Sequence, residues 1–140
     1  MKKSVIAFFA GLLAWILIVS LVDRSLRVLI DGYAAAEPKL SFTLPMMLAR
    51  LAMAAVTSLL AGAIVGAIAP PRSRTPWALG LLLLAAFLPE HIHLANRLPL
   101  WYHLTFLLTL VPLVVIGAWL PRATAVARNA VRDQDVMAPR

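Results

Sequence analysis

Residues 77–98 read WALGLLLLAAFLPEHIHLANRL. Whether this stretch crosses a membrane decides between three spans and four. Its uninterrupted apolar part, residues 77–88, is only 12 long, about 18 Å of helix against a hydrocarbon core of about 30 Å. It is either a re-entrant half-helix or a helix that runs through Pro89 to Leu98, about 33 Å long. The second reading is preferred, because neighbouring helices or water can satisfy the Ala85 carbonyl that Pro89 leaves without its amide partner. A proline at that depth predicts a kink in the third helix.

Three longer apolar runs surround it. Residues 4–22 are uninterrupted, and the helix they form can extend to Ile30 along the outer interface. Residues 44–69 are broken only by Arg50 and closed by Pro70 and Pro71. Residues 100–120 lie between Pro99 and Pro121. The sequence therefore predicts an all-α integral membrane protein, a bundle of four transmembrane helices forming a single domain over residues 1–140. A basic tail occupies residues 122–140. The first run lacks the short apolar core and small-x-small site of a cleaved signal peptide, so it is read as a span.

Composition agrees. Apolar and aromatic residues make up 62% of the chain and charged residues 14%, with mean hydropathy +0.89. Soluble domains carry about 45–50% and about 25%, so a soluble enzyme or a disordered chain fits poorly. No cysteine is present, which removes disulfides and thiolate chemistry. The net charge of +7 reflects topology. With the amino terminus inside, eight Lys and Arg lie on the cytoplasmic side and five outside. Both termini are thus expected in the cytoplasm, in an inner membrane of prokaryotic type. The tail from Arg122 to Arg132 is either a helix on the anionic inner leaflet or a frayed basic end. It lacks the aromatic and hydrogen-bonding groups that nucleic-acid binding needs, so no nucleic-acid partner is expected. Trp77 and Trp119 are expected at the inner interface, and Trp101 and Tyr102 at the outer one.

A full third span has a chemical consequence. It places Glu90, His91 and His93 below the outer interface, where ionisable groups are rare and face protein or water. Glu90, His93 and Arg97 share one face if the helix runs that far. The hairpin at Pro99 brings His103 to the depth of His93. Arg50 enters from the second span, and Asp23 and Arg24 from the outer end of the first. The candidate site is therefore Asp23, Arg24, Arg50, Glu90, His91, His93, Arg97 and His103. From their depths, about 7 Å for Arg50 and about 13 Å for Glu90, these two are expected to pair.

The chemistry of this cluster is restricted. Glu90, His93 and His103, with His91 in reserve, are too few for a zinc site beside two arginines, so no metal is expected. Hairpin neighbours stand too close to bracket a haem, and no cofactor is expected. No nucleophile with a helix-spaced base is found, so no catalytic residue is assigned. The reading is a non-catalytic helix-packing or accessory membrane protein with a polar cluster in its outer third. A small proton- or ion-coupled transporter using Glu90 and His93 or His103 is the alternative, and an intramembrane enzyme the third reading.

Two ladders of small residues mark packing faces: Ser4, Ala7, Gly11 and Ala14 in the first span, and Ala54, Ser58, Gly62 and Gly66 in the second. Small side chains let helix backbones approach in lipid. The ladders serve packing within the chain or, as the alternative, a homodimer or partner-protein seam. The lipid bilayer is the one partner implied outright.

Overall fold

The computed structural model describes the backbone of residues 1–137 and the side chains up to residue 124. The described residues form helices and connections, with no strand among them. Helix α1 spans Lys2–Leu29, a short α2 Tyr33–Ala36, α3 Leu44–Ile68, α4 Thr75–His93 and α5 Leu100–Met137. Four of these, α1, α3, α4 and the Leu100–Thr124 part of α5, are long and apolar enough to cross a bilayer. The chain is thus a multi-pass helical bundle.

Prolines set the boundaries. Pro45 and Pro76 occupy the first turns of α3 and α4, where a missing amide costs nothing. Pro70 and Pro71 follow the end of α3, since a proline restricts the residue before it and cannot continue the helix. Pro89 lies inside α4, which continues to His93 as one helix. It stops there and not at Leu98. Residues 94–97 form turns closed by Ala95 N–H to the Ile92 carbonyl and Arg97 N–H to the Leu94 carbonyl. Asn96 favours a turn, and Pro99 disfavours the helical conformation at Leu98. Arg97 is therefore out of helical register with Glu90 and His93.

Pro112 and Pro121 both lie inside α5. The helix thus passes the point where the fourth span was expected to end. The tail side chains, Arg128 and Arg132 among them, lie outside the described ones. Between α1 and α3 the chain turns at Gly32, whose φ of +77° is one a side chain would strain.

Association in lipid rests on close packing, because helix surfaces and acyl chains are equally apolar. The tightest seam joins α3 to α5, the most extensive pairing in the bundle. A Cβ on Gly62 would overlap the Val114 carbonyl oxygen and stand 2.9 Å from its carbon. One on Gly66 would overlap the Ala118 carbonyl, and one on Gly117 the Leu59 carbonyl. Gly11 of α1 packs against Val65 and Leu79, and a Cβ on Gly80 of α4 would stand only 3.1 Å from the Val111 Cα. Both small-residue ladders thus lie at helix contacts within the chain. Ala7, Gly11, Ala54, Ser58, Gly62 and Gly66 are buried, and Ser4 and Ala14 half-buried. Gly117 and Ala118, the other half of the seam, were not read as a packing face.

Around the glycines lies a core of Ala7, Trp15, Val65, Leu79, Leu83 and Val114. Phe9, Leu13, Leu17, Leu60, Leu108 and Ile116 point outward, where lipid would receive them. Trp15 Nε1 donates to Ser58 Oγ at 3.2 Å, so the indole N–H is satisfied inside the bundle.

Candidate functional site

Arg50 stands in the second turn of α3 and its guanidinium gathers the outer end of the bundle. Nη1 donates to the Tyr33 hydroxyl at 2.9 Å, and Nε to the Tyr102 hydroxyl at 3.3 Å. Two carboxylates stand at its edge, Asp23 at 4.0 Å and Glu37 at 3.9 Å from Nη1. The Phe42 ring packs against the group, 4.8 Å from centroid to Cζ, within reach of a cation–π attraction. Arg27 closes the arrangement, with Nη2 at 3.0 Å from both Asp23 and Glu37. Two guanidiniums and two carboxylates thus alternate around a ring, and the charges cancel locally.

Each element has a reason to be there. Asp23 and Arg27 are four apart on α1, on one face of the helix. The Gly32 turn folds α2 back, burying Tyr33 completely against Ala36 and Met46. Burial pushes the Tyr33 phenol up from its ordinary pKa, against the opposing pull of Arg50. Tyr33 therefore stays neutral and meets Arg50 as an acceptor. Tyr102, in the first turn of α5, is 5% exposed. It is not part of an outer aromatic belt; it is a ligand of Arg50. Trp77, Trp101 and Trp119 do remain on the outside of the bundle.

The expected Arg50–Glu90 pair is not formed. Glu90 is exposed and has no ion pair among the described residues. The carboxylates that reach Arg50 come instead from Asp23, near the end of α1, and from Glu37, just after α2, which the Gly32 turn folds back toward α3.

The histidines are also re-sorted. His91 and His103 face each other with Nδ1 atoms 2.8 Å apart, so one donates and the other accepts, and at least one ring is neutral. His91 also stacks on Phe106, with ring centroids 4.5 Å apart. His103 is 4% exposed, and its Nε2 has no hydrogen-bond partner among the described residues. His93, Glu90, Arg97 and Arg24 are exposed. The physical reason lies in the helix period. Leu79, Leu83, Phe87 and His91 recur every four residues and form the inward stripe of α4, whereas His93 is about 200° from His91. Of the eight expected site residues, the structure gathers Asp23, Arg50, His91 and His103, with Glu90 on the wall of the cavity beside them. It adds Arg27, Tyr33, Glu37 and Tyr102.

Replacing His91 by Phe keeps a ring on Phe106 but leaves buried His103 without its partner. A loss of about 1–3 kcal/mol is expected, against less than about 0.5 kcal/mol for His93→Phe on the outside. Thermal unfolding in detergent reads both, and equal losses would show that the imidazole bond carries no weight.

Two cavities flank this network. One, of about 240 Å³, is lined by Glu37, Phe42, Arg50, His91, Tyr102 and His103 among others. The other, of about 290 Å³, lies on the far side of Tyr102 and Phe106, toward α1. Among the described residues, no group of three or more His, Cys, Asp or Glu side chains is placed to hold a metal ion. Compared with protein-family models, curated proteins and solved structures, the chain matches none.

Proposed function

We propose that the protein is a non-catalytic accessory protein of the inner membrane that works from the outer side of the bilayer. Both termini lie in the cytoplasm, and α4 is bent at Pro89. The observation that carries this reading is the contrast between one end of the bundle and its middle. One end holds the Arg50 ring, the histidine pair and two cavities. The middle of the bundle is closed by backbone contact at Gly62, Gly66 and Gly117, and a separate cavity lined by Ser4, Phe8, Ser73, Arg74 and Thr75 lies at the opposite end. Between the Arg50 ring and the Thr75 end, the buried polar side chains among the described residues are Thr57 and Ser58. Ser58 is already bonded to Trp15. A conduction path needs polar lining across most of the bilayer, and the middle of the bundle supplies only Thr57 and Ser58 among its buried side chains. Of the carriers a transporter would use, His93 is exposed, Glu90 is exposed on the wall of the cavity beside Arg50, and His103 is buried against His91.

Reconstitution tests the reading directly. Liposomes holding the purified protein and a pH-sensitive dye are expected to show no protein-dependent proton flux under an imposed gradient. A flux abolished by Glu90→Gln would replace the accessory reading with a transporter. Orientation is read separately by reporter fusions. Those at Arg74 and at the carboxyl terminus should report cytoplasm, and one at Pro38 the outside; a cytoplasmic signal at Pro38 would invert the topology.

A further inference from the structure

The cavity toward α1 is built for an amphiphile. Its walls include Trp15, Val19, Phe87 and Phe106, and its polar groups, Asp23, Arg50 and the Tyr102 hydroxyl among them, sit toward the outer end. Apolar walls with a few convergent polar groups are the usual form of a small-molecule site between helices.

The hydrogen bonds define what the head of such a ligand must offer. The Tyr102 oxygen accepts from Arg50 Nε, and its own proton has no acceptor among the described residues. Arg50 Nη2 likewise makes no hydrogen bond among them. These unused donors call for acceptor oxygens on the head, placed away from the Asp23 carboxylate that also lines the cavity. Charge narrows the choice further. Asp23 and Glu37 already stand within 4.0 Å of Arg50 and also hold Arg27. A further anion would face two carboxylates with no uncompensated cation, whereas a neutral carbonyl oxygen takes the Tyr102 and Arg50 donors without adding charge beside Asp23.

The walls narrow it again. Trp15 and Phe87 lie 5.1 Å apart, and Phe87 and Phe106 5.3 Å, as a run of rings along one side. Their planes are tilted by 56° and 64°, so they offer a ligand ring edge-to-face contacts that a bare acyl chain cannot return. Ser20, at the rim, is exposed on the outside of α1, which is the side by which an apolar tail would leave. We propose that this cavity binds a membrane-soluble quinone, with a ring carbonyl on Tyr102 and Arg50 and the ring against Trp15, Phe87 and Phe106. The proposal adds a ligand to the accessory reading, and its failure would leave the flux result standing.

Trp15 supplies the test. In the full-length protein, Trp77, Trp101 and Trp119 can be changed to Phe, because all three lie on the outside. The remaining Trp15 then reports the cavity alone. Titration with decylubiquinone in nanodiscs should quench it saturably. Ala54→Leu, which fills the cavity from α3, should weaken binding more than about tenfold. Tyr102→Phe keeps the shape, removes one donor, and should weaken it about three- to tenfold. If Ala54→Leu does not fold, Tyr102→Phe with quinone-dependent thermal stabilisation decides alone. Linear quenching, identical in every variant, would mean simple partitioning into lipid and would overturn the site. Saturable quenching of Trp15 by oleate that Ala54→Leu weakens, with none by the quinone, would overturn it too, in favour of a carboxylate.

Discussion

Gly62→Ala is expected to destabilise the bundle by about 3 kcal/mol or more, and Gly62→Leu to prevent it from assembling. Adding atoms to a packed interior commonly costs about 1–3 kcal/mol, because neighbouring side chains give way. Here the neighbour is main chain. The new Cβ would overlap the Val114 carbonyl oxygen and approach the Ala118 nitrogen at 3.1 Å. Relief requires α5 to move away as a body, opening Gly66 and Gly117 with it. Leu60, two residues earlier, is 45% exposed, and Leu60→Ala should cost under about 1 kcal/mol. Thermal unfolding in detergent, followed by monodispersity, compares the three. Similar losses for Gly62→Ala and Leu60→Ala would mean that the seam is not as close as described.

Arg50→Gln should cost about 2–4 kcal/mol. The change leaves two phenols without their donor and leaves Asp23 and Glu37 with Arg27 alone as their cation. Breaking a well-buried pair costs about 3–5 kcal/mol; the Arg50 side chain retains 27% exposure, which lowers the figure. Arg50→Lys should not restore the loss, because an ammonium cannot place two donors on Tyr33 and Tyr102 in the plane that a guanidinium provides. Double-mutant cycles separate the partners. Arg50→Gln with Tyr102→Phe should cost less than the sum by at least about 0.5 kcal/mol, whereas Arg50→Gln with Glu90→Gln should add. Coupling to Glu90 and none to Tyr102 would refute the arrangement.

These two results bear on how far the sequence could be read. Four spans were legible because their signals are local: apolar runs, prolines at their ends, and Lys and Arg between them. The continuation of α4 through Pro89 followed from length alone, since 12 residues cannot cross a bilayer. The glycines at 62 and 66 declared a close contact but not its partner. The seam pairs the second span with the fourth, and Gly117 carries no distinguishing mark within an apolar run.

The site was legible by depth and not by direction. Arg50 and His103 stood out as polar groups in apolar surroundings. The partners of Arg50 come from Tyr33 and Glu37, on a connection whose return toward the membrane depends on the Gly32 turn. Tyr102 was hidden by its position, because a tyrosine beside a tryptophan at a span's end is expected to anchor at the interface. The exchange of His93 for His91 was avoidable, since the four-residue recurrence from Leu79 to His91 was present in the letters.

The pairing of α3 with α5 also orders the birth of the molecule. A ribosome delivers the spans from the amino terminus onward, so α3 enters the bilayer well before the helix that locks it. Until then Gly62 and Gly66 face lipid or a temporary neighbour, and Arg50 lacks Tyr102. The three-span nascent chain is therefore an open intermediate. The last helix is the closing piece of the bundle, since its carbonyls at Val114 and Ala118 are what cover Gly62 and Gly66.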